Sequence, residues 1–182
     1  LVLTVWTKSL MFNCNGYTVF DGKGDLVFRV DNYMTAFGSQ DQILLMDAPG
    51  NPLLNVRRKR LSLGDNWLVY DGESSERPRF SAKKHYSPGK SQLARVGRIG
   101  GGPAYEIEGS YAQRCCTIYE CCDGDQEATK TRRRKVAEIR QKDAVGGVAF
   151  SCDVFRLLVW PRFIDPSLAM AIVILLGRMF GS

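Results

Sequence analysis

The chain has 182 residues, 45% of them apolar and 24% charged, with a formal net charge of +6. That length suits one domain with a large core, and the composition excludes a disordered chain. The positive balance favours an anionic partner (nucleic acid, an anionic membrane leaflet or an acidic protein) without choosing among them.

The sequence opens on Leu1 rather than Met and reads as a piece of a longer protein. Residues 1–6 alternate in polarity and are too short for a signal peptide; no charged leader or small-residue cleavage site accompanies them. An intracellular protein is therefore expected, with its six cysteines mostly reduced.

In chain order, the first half reads as antiparallel strands joined by tight turns. Residues 4–12 are apolar and β-branched. Residues 16–20 lead into Asp21-Gly22-Lys23-Gly24-Asp25, and residues 26–31 lead out. The pattern recurs: residues 42–46 enter Asp47-Ala48-Pro49-Gly50-Asn51, and residues 52–57 leave it. Both units place Asp at the turn entry with Gly three residues later, which suggests one hairpin used twice. A third hairpin runs from residues 67–70 through Asp71-Gly72-Glu73 to residues 78–84. Residues 91–98 form a weaker strand, and Ile99-Gly100-Gly101-Gly102-Pro103 is a connector. Residues 104–110 and 114–122 read as strands, and residues 123–131 as polar turn. Residues 136–140 alternate, Gly146-Gly147 breaks the chain, and residues 154–160 form the last strand.

A helix follows. Asp165 suits the N-cap and Pro166 the first helical position, where a missing N–H costs nothing. Every residue from 168 to 176 is apolar, so this helix has no polar face. A membrane span needs about 20 apolar residues, roughly twice this run. Burial inside the protein is the better reading. A sandwich core about 10 Å thick has no room for a whole helix. A closed barrel of about a dozen strands does, and residues 165–180 would be about 24 Å long. The expected fold is therefore mainly β: one domain over residues 1–182, a closed antiparallel barrel of about 12 strands around a central apolar helix at about 166–179.

Several segments resemble the plant LURP-one-related proteins. They are Leu61-Ser62-Leu63-Gly64-Asp65-Asn66-Trp67-Leu68-Val69-Tyr70-Asp71-Gly72, Tyr105-Glu106-Ile107-Glu108-Gly109-Ser110-Tyr111-Ala112-Gln113-Arg114-Cys115-Cys116, the two Asp-x-x-Gly hairpins, and Gly146-Gly147-Val148-Ala149-Phe150 with the terminal strand and helix. That family is similar in fold to the tubby C-terminal domain and the phospholipid scramblases, closed barrels around a hydrophobic helix. The resemblance implies no enzymatic activity. It also implies a link to plant defence and, through the tubby likeness, binding of phosphoinositide headgroups.

Three basic clusters suit such a headgroup: Arg57-Arg58-Lys59-Arg60, Lys83-Lys84, and the densest, Lys130-Thr131-Arg132-Arg133-Arg134-Lys135. Arg offers a planar fork to phosphate oxygens and Lys a compact charge. Juxtaposed on one barrel face, Arg57, Arg58, Lys59, Arg60, Lys83, Lys84, Arg132, Arg133, Arg134 and Lys135 would bind an anionic lipid, with the 130–135 run as main contact. The plain alternative is that these cations are solvated or guard strand edges. The 130–135 run also matches the loose pattern of a nuclear localisation signal.

Other chemistry is weakly supported. Cys115-Cys116 and Cys121-Cys122 lie on one strand, so alternation sends Cys115 and Cys121 to one face and Cys116 and Cys122 to the other. One tetrahedral metal site cannot collect all four, and they read as small apolar side chains. His85 is the single histidine and lies in a loop without a neighbouring carboxylate to orient it. Gly100-Gly101-Gly102 lacks the Lys-Ser/Thr of a phosphate loop, and the turn aspartates form no calcium ligand ladder. The expectation is a monomeric, non-enzymatic binding or scaffold protein with no cofactor or metal, docking on phosphoinositide or an anionic membrane. It would work in the cytoplasm, at a membrane surface or in the nucleus. One alternative is a scramblase-type protein whose helix enters the bilayer; the short apolar run counts against it. The other is a nuclear DNA-associated factor; no helix-turn-helix, zinc finger or heptad supports it.

Overall fold

The structure, a computed structural model, describes residues 1–8, 16–33, 42–59, 64–85, 91–122, 132–142 and 153–181. Within them lie β1 (Val2–Trp6), β2 (Gly16–Phe20), β3 (Leu26–Tyr33), β4 (Gln42–Asp47), β5 (Pro52–Arg58) and β6 (Asn66–Asp71). They continue with β7 (Phe80–Lys84), β8 (Gln92–Arg98), β9 (Ala104–Ser110), β10 (Cys115–Cys122), β11 (Arg132–Gln141), β12 (Val154–Val159) and α1 (Pro166–Phe180). Each strand pairs antiparallel with its neighbours in sequence, and β1 pairs with β12 to close the barrel. The closing register runs from Val2 opposite Leu158 to Trp6 opposite Val154.

Alternation decides which side chains fill the barrel. In β12, Phe155, Leu157 and Val159 are buried while Val154, Arg156 and Leu158 face out. In β9, Tyr105 and Ile107 point in, and Glu106 and Glu108 point out. The inward set closes on α1, whose residues 168–176 are all buried, Ile172 at 0% and Leu175 at 1% exposure. No face of this helix meets water, which is why its sequence carries no polar stripe. Asp165 caps its start, its carboxylate accepting from the Ser167 and Leu168 backbone N–H groups at 2.8 and 3.4 Å. Among the described residues no helix is long and apolar enough to cross a membrane.

The repeated hairpin is real. Asp21 accepts from the N–H groups of Lys23 (2.8 Å) and Asp25 (2.9 Å); Asp47 accepts from Gly50 (2.9 Å) and Asn51 (2.7 Å). Gly24 (φ 91°) and Gly50 (φ 103°) occupy the left-handed position that each turn requires. In both hairpins the register shifts just before the turn.

Two expectations change. The first strand is Val2–Trp6 rather than residues 4–12; residues 9–12 lie outside the described set. The strand expected at residues 136–140 starts earlier, at Arg132, so residues 132–135 of the basic run are sheet; residues 130 and 131 lie outside the described set. The reason is cross-strand charge: Cys121, Glu120 and Tyr119 face Arg133, Arg134 and Lys135, and acidic side chains on β9 and β10 meet the arginines.

The up-and-down order gives the barrel two distinct rims. The entry rim is where β12 ends and α1 begins. The far rim is where α1 ends, and it holds the ends of β5 and β7.

A candidate anion-binding groove on the wall of β5 to β7

The basic cluster after β5 and the one ending β7 are brought together at the far rim. Arg58 is opposite Trp67, Asn66 is opposite Lys83, and the Lys59 N–H donates to Asn66 O at 2.9 Å. Lys59 and Lys83 thus stand two strands apart, roughly 10 Å between backbones. Below them on the outer face are Leu68 and Ser81, paired with each other. Ser81 also faces Gly97 of β8, and a Cβ at Gly97 would meet nothing within 4 Å. Small residues here leave a depression of about 470 Å³, lined by Lys59, Asn66, Leu68, Ser81, Lys83 and, on the entry-rim side, Ile99. Among the described residues neither Lys59 nor Lys83 has a carboxylate partner.

The neighbouring cations are already engaged. Arg58 meets Asp65 at 3.6 Å, and Asp65 also accepts from Trp67 Nε1 at 3.1 Å. Arg57 lies over the Tyr70 ring, 5.8 Å from its centroid, with its Nε buried. Lys84 turns the other way from Lys83, as strand alternation demands. Its Nζ donates to Met179 O at 2.5 Å and sits 4.4 Å from the Phe180 ring centroid, so it caps the C-terminus of α1. Arg60 lies outside the described residues.

The 132–135 run does not join this site. It starts β11 at the entry rim, and β11 stands six places from β5 around the ring of strands. Expected juxtaposition of all three clusters on one face is therefore corrected: an up-and-down strand order puts the start of β11 on the opposite wall and rim. Arg133 bonds Glu108 at 2.8 Å, meets Glu106 at 3.5 Å and covers Tyr119. Burial opposes its charge, but the Glu108 hydrogen bond and the two carboxylates prevail and hold its pKa above the usual value. Arg134 pairs with buried Glu120 and lies over Phe163. Lys135 meets Glu138 at 2.6 Å. Of Arg132, only the backbone is described.

The described cysteines separate as alternation requires; the Cys122 side chain lies outside the described set. Cys115 is exposed on the outer face, Cys116 points into the core, and Cys121 is buried on the outer face beside Glu106. Cys115 and Cys121 are six residues apart on one strand, about 20 Å. Burial and the adjacent Cys115 push the Cys116 thiol up to about 12; burial and Glu106 raise that of Cys121. These thiols stay protonated near neutrality. His85 lies just beyond β7 and is exposed.

Asn66, Leu68, Ser81 and Ile99 line the groove, though nothing about their residue types announces a site. The available signal was two small residues, Ser81 and Gly97, at outward positions beside basic ones.

The chain matches the family model described as LURP-one-related over residues 1–177. It is 49% identical over 185 residues to protein LURP-one-related 8 of Arabidopsis thaliana, covering 100% of this chain and 88% of that one. It is 42% identical over 185 residues to protein LURP-one-related 5 of the same plant, covering 98% and 83%. A crystal structure of an Arabidopsis thaliana protein superposes with a TM-score of 0.60 over 96% of this chain and 88% of that one, at 20% identity, which shows a shared fold. Sequence model and relatives agree over nearly the whole barrel, and the chain belongs to the LURP-one-related family.

Proposed function

We propose that this barrel is a non-enzymatic, tubby-like docking module whose β5–β7 groove takes a phosphate-bearing headgroup, a phosphoinositide in an anionic membrane. The observation that carries this reading is the pair Lys59 and Lys83, set about a 470 Å³ groove without carboxylate partners among the described residues. Ser81 between them adds a hydroxyl for phosphate oxygens. Each lysine near an anionic surface contributes about 1 kcal/mol, so the groove by itself supports weak, salt-sensitive docking.

A non-enzymatic role is supported by where the ionisable groups lie. The outer-wall carboxylates Glu106, Glu108 and Glu138 are bound to guanidinium or ammonium groups, and the buried thiols are held protonated. A monomer is supported by the closed sheet, which offers no open edge for strand pairing. An intracellular, membrane-peripheral setting and a role in plant defence rest on the family resemblance.

Co-sedimentation with vesicles containing phosphatidylinositol bisphosphate tests the reading, with phosphatidylcholine vesicles and soluble inositol phosphate as further arms. Lys59→Glu with Lys83→Glu should abolish vesicle binding, whereas Arg133→Ala with Arg134→Ala should leave it nearly intact. Binding that survives the first pair of substitutions refutes the groove. Binding of soluble inositol phosphate without vesicle binding assigns the groove to a free ligand.

A further inference from the structure

Among the described residues, exposed large apolar side chains are few, and they cluster. Leu1 (50% exposed), Val2 (47%), Trp6 (45%) and Trp160 (36%) share one wall, while Ile99 (46%) stands apart at the groove. The registers place them. On the outer face Val2 is opposite Leu158, and Trp6 lies between Val154 on one side and Thr18 on the other. Trp6 also meets Phe20 edge-on, with ring centroids 5.9 Å apart. The result is a wall along β12, β1 and β2 with an apolar patch and a tryptophan near each rim, crossed at mid-height by Thr4 and Arg156, which face each other. From the row of Trp6 and Val154 to Trp160 is six residues along β12, about 20 Å. At the entry rim the strip deepens into a concavity of about 340 Å³ between Val2, Leu158, Trp160 and Arg162.

Charge borders the strip unevenly. On the side of β11 and β12 lie Lys135, Arg140, Arg156 and Arg162. Lys135 and Arg140 share Glu138, and the Lys135 ammonium is 5.5 Å from the Trp160 ring centroid. Asp153 lies at the far-rim end of this flank, accepting from Thr7 Oγ1 at 3.0 Å. The flank thus keeps a positive balance. On the β2 side the entry-rim turn carries Asp21, Lys23 and Asp25, a negative balance.

We propose that this wall is the docking face for an amphipathic helix of a partner protein. Its apolar stripe would lie along β1, and an acidic edge would face Arg162 at the entry-rim concavity. The closed sheet excludes strand addition, because every strand already has two neighbours, so a partner has to pack through side chains. A strip about 20 Å long matches about 13 helical residues. Its width of two to three strands gives roughly 200–300 Å², below the largest patch of an ordinary monomer and far below a permanent interface. The contact is therefore weak and exchangeable. A second copy of this chain fits less well, since it would bring positive flanks together. Diametrically across the ring from β1 stands β7, which carries the groove lysine Lys83. Helix and anion would therefore be held on opposite sides at once.

The test uses a 14-residue helical peptide with a Leu/Phe stripe and Glu along one edge, and a counterpart with Lys in place of Glu. Fluorescence anisotropy of the labelled peptides against the folded chain should give micromolar binding for the acidic peptide. The basic peptide should bind about tenfold more weakly. Trp6→Lys with Val2→Lys, both outer-face changes, should abolish binding while leaving the thermal midpoint nearly unchanged; Lys59→Glu with Lys83→Glu should have no effect. No binding by either peptide, or equal binding of both, overturns the proposal. So does sedimentation showing a dimer, or binding to phosphatidylserine vesicles, that Trp6→Lys removes; these outcomes assign the wall to a second copy or to a bilayer.

Discussion

Gly177→Ala is the sharpest available test of how α1 fits its sheath. In an exposed helix this change stabilises by about 1 kcal/mol, because Ala is a better helix former than Gly. Here the new methyl would land on the Tyr17 hydroxyl, well inside contact distance, and 3.1 Å from the Tyr111 hydroxyl. Those two hydroxyls are hydrogen-bonded to each other at 3.3 Å, so making room for the methyl means shifting the Tyr17 ring and breaking that pair. Burial raises the pKa of both phenols, so they stay neutral partners at any ordinary pH. Overpacking of this kind costs about 1–3 kcal/mol, and losing the hydroxyl pair costs about 1 kcal/mol more. Subtracting the propensity gain leaves a net loss of about 1–3 kcal/mol. For a chain of this size that lowers the thermal midpoint by about 2–12 °C, read by far-ultraviolet circular dichroism. Adding Tyr17→Phe removes the colliding oxygen and should recover at least half of the loss. A Gly177→Ala protein as stable as the parent, or more so, would mean that the helix does not pass this close to β2.

Lys84→Met should loosen the last turn of α1. It removes a charged donor from Met179 O and a cation from the Phe180 ring, for about 1 kcal/mol at this partly open site. Hydrogen exchange at residues 178–181 should rise while that at 168–176 stays slow. Glu120→Ala should destabilise by about 1–2 kcal/mol in urea titration, because Arg134 loses its buried carboxylate but keeps contact with solvent. The turn aspartates predict an acid limb. Asp21 is held below the usual carboxylate range by backbone N–H donation, chiefly from Asp25, and Asp47 chiefly by the Asn51 side chain. Their contribution is complete above the ordinary Asp pKa and is lost as pH falls through the depressed folded values. Thermal midpoints between neutral pH and about pH 2.5 should therefore fall less steeply in Asp21→Asn/Asp47→Asn, and parallel slopes would refute the assignment. Finally, brief alkylation at pH 8 with peptide mapping should modify Cys115 but spare Cys116 and Cys121.

The barrel was legible in the sequence because its signals are local. An unbroken apolar stretch at 168–176 needs a complete enclosure, and Asp-x-x-Gly turns marked the hairpins. The candidate site was less legible because its parts are relational. Lys83 and Lys84 are neighbours in sequence, yet one borders the groove and the other caps the helix. The 130–135 run looked the most available because its partners Glu106, Glu108 and Glu120 belong to other strands, and only the fold brings them alongside. The groove floor is defined by side chains that are small or missing, at Ser81 and Gly97, and an absence of atoms leaves little trace in composition.

The position of α1 in the chain has a consequence for biogenesis. The twelve described strands leave the ribosome before the segment that fills their lumen, and the seam between Val2 and Leu158 joins β1 to β12. A nascent chain stopped before Pro166 holds a greasy inner surface with nothing to cover it, a natural substrate for chaperones. Filling of the lumen thus waits for α1, whose arrival converts an aggregation-prone intermediate into a sealed barrel. Premature termination even a dozen codons from the end of this helix should remove the whole protein from the cell rather than yield a shortened active form.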